Sequence, residues 1–447
     1  MTTSNVRNVA LEILLQIEKN QAYSNLLLNK MIKKYEVKGK DIGLLTEIVY
    51  GTIQRRDTLD YFLAPFLNKS KKLDLWVRIL LRLSLYQMVY LDRVPERAIF
   101  FEAVEIAKKR GHRGTASLVN GVLRSIQREG VPSLEAIHDQ VERLAVETSH
   151  PLWLVKRWVE QIGIDETRKM CEINSTPPEQ TARVNTLMAN REEAIQKLQE
   201  EGIESTIGAV SEDAIKAVKG NLANSKAFEE GFFTIQDESS MLVARALGVI
   251  KGDRILDSCA APGGKTTHIA ELLQNSGEVH SLDLHEHKIK LINEQVARLK
   301  LSNVVTKALD SRNASKYFEP ESFDKILVDA PCSGFGVMRR KPDIKYSKQQ
   351  IDSSRLASIQ LEILTEVSSL LKKGGILVYS TCTIDSEENE GVIQSFLQNN
   401  KNFVLDNELI NTLPKAVHPY VKNGQVQLFP HYFGTDGFFI ARLRKQV

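Results

Sequence analysis

Asp253-Arg254-Ile255-Leu256-Asp257-Ser258-Cys259-Ala260-Ala261-Pro262-Gly263-Gly264-Lys265-Thr266-Thr267 decides the reading of this chain. It predicts a short apolar strand, a tight loop of small residues, and a helix running from Thr266 to Leu273. Gly263 and Gly264 let the backbone approach a ligand closely, and a helix start offers unpaired N–H groups to anything polar or anionic. That is the layout of the first βα turn of a nucleotide- or nucleoside-binding sheet. Gly264-Lys265-Thr266 imitates the end of a P-loop, but Cys259 stands where the first glycine is required, and no G-x-G-x-x-G is present. A second strand, from Glu278 to Leu284, brings Asp283 to its end, twenty residues after Gly263. A carboxylate there suits ribose hydroxyls, so the ligand expected is of adenosine type.

Outward from that stretch, residues 239–447 alternate helix and strand. Strands are expected to end at Asp257, Asp283, Leu309, Asp329 and Cys382, with helices over Glu286–Leu301 and Ile351–Leu371. Gln425–Pro430 and Gly437–Arg444 read as a closing antiparallel pair. Repeated βα units imply a mostly parallel sheet, which binds ligands at its carboxyl edge. Strand Phe323–Asp329 runs into Ala330-Pro331-Cys332-Ser333-Gly334, and strand Ile376–Ser380 into Thr381-Cys382-Thr383. Both thiols therefore emerge at that edge. One cysteine at a strand end is usually core filler; two on neighbouring loops point to chemistry.

Two thiols beside an adenosine-type ligand suit methylation of a pyrimidine. Its C5 carbon is a poor nucleophile until a thiolate adds to C6, and a second group must then help elimination. A free thiol has a pKa near ~8.5, so the nucleophile needs local help, for which Lys265 is a candidate. Asp329 could hold either the pyrimidine edge or the cofactor's amino group. Cys171, Cys259, Cys332 and Cys382 include no C-x-x-C pair, so no thiolate metal site is expected.

The N-terminal part differs. Over residues 1–130 there are 22 Lys+Arg against 13 Asp+Glu, while the whole chain carries only +3. A basic region on a mildly acidic remainder suggests a polyanion partner. Ser4 can cap a first helix whose stripe is Val6, Val9, Ile13, Leu14 and Ile17. Helices are expected over Tyr23–Tyr35, Asp41–Gln54, Leu73–Leu91, Glu96–Arg110 and Thr115–Arg128. Arg110, His112 and Arg113 fall in a loop between the last two, with Arg124 on the second, a cluster able to meet phosphates. Trp153 and Trp158 read as packing anchors. From Thr181 the texture turns to short strands and helices. Arg339, Arg340, Lys341 and Lys345 follow the Cys332 loop and are expected to grip phosphates near the target base, which must be unpaired or flipped.

Asp-Ser-Cys-Ala-Ala-Pro-Gly-Gly-Lys-Thr at 257–266, Asp-Ala-Pro-Cys-Ser-Gly at 329–334 and Ser-Thr-Cys-Thr at 380–383 together resemble the RNA cytosine-C5 methyltransferases that use S-adenosylmethionine. Gln236-Asp237-Glu238-Ser239-Ser240 resembles that family's motif before the sheet, and the likeness covers about residues 231–447. The resemblance implies that Cys382 attacks C6 and Cys332 assists release. It also implies a cofactor site formed by Cys259, Ala260, Ala261, Pro262, Gly263, Gly264, Lys265, Asp283, Asp310 and Asp329. The helical region, with Leu118-Val119-Asn120-Gly121-Val122-Leu123-Arg124, is similar to the NusB-like domain fused to one branch, which acts on a cytosine of 16S rRNA. His150-Pro151-x-Trp153-Leu154-Val155 and Arg183-Val184-Asn185-Thr186 fit that branch.

The expected architecture is therefore a Rossmann-like α/β methyltransferase sheet over 231–447, an all-α NusB-like RNA-binding domain over 1–140 with Arg110, Arg113 and Arg124, and a helical and small α/β connector over 141–230. Expected partners are 16S rRNA or a small-subunit assembly intermediate. The chain has no signal peptide or membrane-span pattern and is expected to be a cytoplasmic monomer without a metal. Other readings of the same residues are methylation of another rRNA or tRNA cytosine, an assembly factor with a vestigial sheet, and nucleotide hydrolysis through Lys265. Intact thiols and an intact glycine loop count against the vestigial sheet, and the missing first glycine counts against hydrolysis.

Overall fold

The structure, a computed structural model, describes residues 5–20, 24–67 and 73–447. Ser4 and Tyr23, expected to begin helices, lie outside those residues. The chain forms two compact units, one of residues 1–176 with Met338–Lys348 and one of Pro177–Val337 with Gln349–Val447.

The first unit is helical: α1 (Val6–Asn20), α2 (Ser24–Lys34), α3 (Lys40–Gln54), α4 (Arg56–Leu63), α5 (Leu75–Tyr90), α6 (Glu96–Arg110), α7 (Arg113–Glu129), α8 (Gln140–Thr148) and α9 (Leu152–Asn174). The apolar stripes place these helices because each turns its i, i+3, i+4 face onto one core. Val9, Ile13 and Leu14 of α1 meet Leu80 and Leu83 of α5 and Val119 and Leu123 of α7 there. The expected loop around His112 nearly vanishes. Arg110 ends α6, Arg113 opens α7, and the His112 ring nitrogen caps α7 by accepting the Gly114 N–H at 3.1 Å. Helix α4 was not foreseen; a break at Arg55 separates it from α3.

The second unit begins with β1 (Thr181–Val184), α10 (Arg191–Glu200), β2 (Glu204–Ile207), β3 (Ala214–Lys219), α11 (Lys226–Glu229) and β4 (Phe233–Ile235). These strands form an antiparallel sheet in the order β2-β3-β1-β4. Strand β3, absent from the sequence reading, carries Lys216 and Lys219 among its apolar residues, which blurs the alternation. There follow α12 (Glu238–Ala246), β5 (Arg254–Asp257), α13 (Gly264–Leu272), β6 (Glu278–Asp283), α14 (Glu286–Arg298), β7 (Val304–Ala308) and β8 (Phe323–Asp329). The short α15 (Ile344–Ser347) lies in the first unit. The second unit resumes with α16 (Gln350–Ser368), β9 (Leu371–Thr381), α17 (Glu390–Asn399), β10 (Phe403–Leu405), β11 (Val421–Lys422), β12 (Gln425–Leu428) and β13 (Phe438–Lys445).

The main sheet runs β11-β12-β13-β9-β8-β5-β6-β7, with β10 on β13. Strands β5 to β9 pair in parallel, and β13 runs antiparallel to both β9 and β12. This is the mostly parallel sheet with a closing hairpin that the βα repeats predict. Alternate residues feed opposite faces. Ile255, Leu327 and Val378 join one core, while Leu256, Ile326, Val328, Leu377 and Tyr379 join the other. The chain steps outward from β5 to β7 and returns to β8 on the other side of β5. That reversal opens a crevice at the carboxyl ends of β5 and β8, where such sheets bind ligands.

Candidate active site

The loop after β5 enters this crevice. The Ala260 N–H donates to the Leu282 carbonyl at 2.8 Å, tying the loop to β6. Gly263 has φ of 104°, and a side chain on it would press on the Ile292 backbone at 3.2 Å, so only glycine fits. Helix α13 starts one residue later, leaving its first N–H groups without acceptors inside the helix. Thr266 donates its hydroxyl to Asp257 Oδ2 at 2.6 Å. Among the described residues Asp257 Oδ1 is buried without a hydrogen-bond partner, and burial pushes this carboxyl up to about 7.

Lys265 points its ammonium at Asp329 Oδ2, 2.8 Å away at the end of β8. The Ser380 hydroxyl donates to Asp329 Oδ1 at 2.9 Å, using the register that sets Asp329 opposite Ser380. Burial works against the charge on Lys265, but Asp329 outweighs it, with a contribution from Cys382, and the pKa is raised. The same ammonium lies 4.9 Å from the centre of the Phe438 ring.

The two thiols meet. Cys332 Sγ and Cys382 Sγ are 3.3 Å apart, and both residues are partly exposed. The hydrogen bond with Cys382, followed by burial, holds Cys332 well above the usual thiol range. The two loops are fastened to each other. Ser333 and Thr383 share a hydroxyl contact of 2.7 Å, and the Gly336 N–H donates to the Cys382 carbonyl at 3.0 Å. A side chain at Gly336 would lie 2.0 Å from the Gly437 carbonyl oxygen, so this closure also requires glycine. Cys259 is half-buried beside the glycine loop, and burial raises its pKa.

Asp283 ends β6 and is buried; its Oδ1 accepts the His285 N–H at 3.1 Å and lies 3.6 Å from the Lys288 ammonium, and among the described residues its Oδ2 has no hydrogen-bond partner. Asp310 follows β7 and is held below the usual carboxylate range by Arg312, which donates to it at 2.8 Å. Contacts thus join Lys265 to Asp329, Cys332 to Cys382 and Asp257 to Thr266, while Asp283 ends β6 and Asp310 follows β7 at the same edge.

The basic residues divide. Arg110, Arg113 and Arg124 are exposed in the helical unit. Arg110 pairs with Glu12, and Arg124 lies over the Phe100 ring. Arg339, Arg340 and Lys341 belong to the helical unit. Arg339 is buried and donates to the Thr176 carbonyl at 3.4 Å, Arg340 is half-buried, and Lys341 is exposed. Lys345 is wholly buried, in a run whose Met338, Pro342 and Ile344 are buried as well. Trp158 is buried, edge-on to His150, as a packing anchor should be.

Residues without an assigned role in the sequence reading also support the site. Arg183 of β1 is fully buried, donates twice to Glu271 at 2.8 and 3.0 Å, and binds the Gly264 carbonyl at 2.7 Å. It also meets Gln236 and Thr267. A lone Arg in a short strand gives no warning of this; only its place in Arg183-Val184-Asn185 does. Glu238 of the Gln236–Ser240 motif accepts three backbone N–H groups, from Ala209, Val210 and Ser211 at 3.0, 2.6 and 2.8 Å.

Among the described residues no helix is long and apolar enough to cross a membrane, and no group of three or more His, Cys, Asp or Glu could hold a metal ion.

Comparison with known proteins matches three successive segments of the chain. Residues 244–444 match the 16S rRNA methyltransferase RsmB/F family, residues 4–128 the NusB family, and residues 150–221 the RsmF/B-like ferredoxin-like domain. The chain is 57% identical over 446 residues to the probable ribosomal RNA small subunit methyltransferase B of Bacillus subtilis, covering 100% of both. It is 35% identical over 449 residues to the ribosomal RNA small subunit methyltransferase B of Klebsiella pneumoniae, covering 99% and 98%. The crystal structure of PH0851 superposes with a TM-score of 0.83 at 28% identity, over 98% of each chain. NSun6 from Pyrococcus horikoshii, solved with SFG, gives a TM-score of 0.58 at 25% identity over 65% of this chain and 97% of that one. With full-length identity and three successive segments matched in order, the chain belongs to the 16S rRNA methyltransferase RsmB/F family.

Proposed function

We propose that this chain transfers a methyl group from S-adenosylmethionine to C5 of a cytosine in 16S rRNA, through a covalent bond between Cys382 and C6. The observation that carries this is the 3.3 Å approach of Cys332 and Cys382 beside Lys265, at the carboxyl edge of the sheet. The residues present fit the cofactor. The small-residue turn and the open N-terminus of α13 suit its polar amino-acid end. Asp283 has an unused oxygen for a ribose hydroxyl. Asp310 can reach an adenine only by sharing its carboxylate with Arg312. The relative solved with SFG, a cofactor analogue, supports the same reading. When bound, S-adenosylmethionine supplies an electrophilic methyl group.

The electrostatics support an order for the two thiols. Cys382 sits within the field of the Lys265 ammonium, which favours its thiolate. Cys332 keeps its proton because losing it would set two negative sulfurs side by side. The Cys382 thiolate bonds to C6, and the C5–C6 π electrons move to C5, which takes the methyl group. Cys382 is then a neutral thioether and no longer holds the Cys332 proton, so Cys332 can lose it to water. Cys332 then removes the C5 proton. The C5–H electrons restore the double bond as the C6–S bond breaks and Cys382 leaves as a thiolate. The negative charge reappears beside Cys332 and secures the transferred proton there. Asp329, held by Lys265 and Ser380, is a rigid acceptor for the cytosine edge or the cofactor's amino group.

The exposed Arg110, Arg113 and Arg124 are proposed to bind rRNA phosphates from the NusB-like region 1–140, and Lys341, with Arg340 half-exposed, to add contacts. Arg339 could contribute only if its burial were relieved. The 231–447 region is proposed as the methyltransferase domain and 141–230 as the connector. The chain is proposed to work as a cytoplasmic monomer on rRNA or an assembling small subunit, without a metal.

The test is to incubate the purified protein with S-adenosylmethionine and 16S rRNA transcripts, then map 5-methylcytosine by bisulfite sequencing. A single modified cytosine, absent with Cys382→Ala, is expected. Methyl transfer to another atom, or to tRNA in preference to rRNA, contradicts the proposal.

A further inference from the structure

Cys332 is held from both sides by a buried polar network that the chemistry above does not use. Glu388 follows β9 and is 0% exposed. Its Oε2 accepts the Ser333 N–H at 2.9 Å and the Gln360 side-chain amide at 2.9 Å. The same Gln360 nitrogen donates to the Pro331 carbonyl at 2.9 Å. The residue before Cys332 and the residue after it are therefore both tied to one carboxylate–amide pair. The Tyr379 hydroxyl lies 2.6 Å from the Glu388 carbonyl and 3.1 Å from Gln360 Oε1, fixing the pair to β9, the strand that leads into Cys382. No cation pairs with Glu388 among the described residues, and its Oε1 is buried without a partner. A buried, unpaired acid is costly, and an apolar residue of similar size would cost less. Packing alone therefore does not account for it.

We propose that Glu388, acting with Gln360, is a positioning residue that holds the Cys332 sulfur against Cys382 for the release half of the reaction. The inference rests on the two-thiol reading above. The release step needs Cys332 within reach of C5 while Cys382 is still bonded to C6, so a loose Cys332 loop penalises elimination more than attack. Acceptor geometry is the essential feature. One oxygen receives both donors, so Glu388→Gln keeps both hydrogen bonds and puts its NH2 where the unpartnered Oε1 now lies. Glu388→Ala leaves the Ser333 N–H and one of the two Gln360 amide hydrogens unsatisfied. The Glu388 charge also contributes to keeping the proton on Cys332, and burial lifts its own carboxyl to about 7.

The experiment compares the full-length wild type with Glu388→Ala, Glu388→Gln, Gln360→Leu, Cys332→Ala and Cys382→Ala, using 16S rRNA transcripts. It measures kcat, KM for S-adenosylmethionine, and the protein–RNA adduct that survives denaturation. Glu388→Ala should lower kcat ~10- to 100-fold and accumulate adduct, with KM for the cofactor unchanged, as expected of a misplaced reacting group. Glu388→Gln should remain close to wild type, and Gln360→Leu should show a weaker form of the alanine defect. Wild-type adduct levels and kcat in Glu388→Ala would overturn the proposal, as would a Gln variant as defective as the Ala variant. Should Glu388→Ala fail to fold, Gln360→Leu carries the decision: adduct accumulation supports the proposal and its absence overturns it. Cys332→Ala separates the two claims, because failure of that variant to trap RNA overturns the two-thiol reading itself.

Discussion

Cys332 and Lys345 are thirteen residues apart in sequence, and their surroundings are opposites. Around Cys332 buried polar groups are linked into pairs: Ser333 with Glu388 and Thr383, Gln360 with Pro331, and Lys265 with Asp329. Lys345, in the part of the chain that belongs to the helical unit, is 0% exposed, and among the described residues its hydrogen-bond acceptor is the Thr148 carbonyl at 3.5 Å. Burial drives its ammonium down to about 7 and, helped by Lys345, holds His150 well below its ordinary range. Cys171 nearby is pushed up to about 12 by burial. The contrast teaches that burial alone does not mark a reactive group. At the sheet edge, Lys265 and Asp329 are buried as a pair, which fixes where that charge sits. In the helical unit, a charge is buried at the expense of stability.

The largest break in this contrast is Cys382→Ala, which should lower methyl transfer at least ~10³-fold with the fold intact, checked by tritium transfer from labelled cofactor and by circular dichroism. Arg183→Ala comes next. It strands Glu271, which is 1% exposed, and frees the Gly264 carbonyl, so about 3–5 kcal/mol of stability should be lost together with cofactor affinity. Denaturant titration and calorimetry read the two effects.

Lys345→Met should act in the opposite direction and stabilise the helical unit by up to a few kcal/mol at neutral pH. An unfolded Lys holds its proton up to about pH 10, whereas folded Lys345 releases it near 7. Between those values the unfolded state binds more protons, so Lys345 makes stability rise with pH, and below about 7 its full penalty is present. The Met variant should flatten that rise, measured as melting temperature against pH. The smallest effect belongs to Arg113→Ala, an exposed residue. It should weaken RNA binding less than ~10-fold and reduce the salt slope by about one, with kcat unaltered at saturating RNA.

The sheet edge was legible in the sequence because a βα repeat forces strand ends to one side. Asp257, Asp283, Asp329, Cys332 and Cys382 each follow an apolar run, and that pattern located them before any coordinates. The closeness of the two sulfurs was not legible: it depends on β8 and β9 being neighbours and on Gly336 passing against Gly437. Glu388 was hidden in the acidic run Asp385-Ser386-Glu387-Glu388, which reads as a solvated surface until its burial is seen. Lys345 misled in the same way, since a Lys after two Arg and another Lys reads as phosphate-binding. Its neighbours Met338, Pro342 and Ile344 are buried with it, and the Tyr346 hydroxyl donates to the Ser149 carbonyl at 3.0 Å. Arg183 lies in a four-residue strand, and its reach to α13 comes entirely from tertiary packing.

The most direct test of the account is to run Cys332→Ala and Cys382→Ala, after reaction with 16S rRNA and S-adenosylmethionine, on a denaturing gel that resolves protein covalently bound to RNA. The account predicts a retarded protein–RNA band for Cys332→Ala, because attack proceeds and release fails, and no such band for Cys382→Ala. A band that persists without Cys382, or that depends on Cys332 instead, would contradict it.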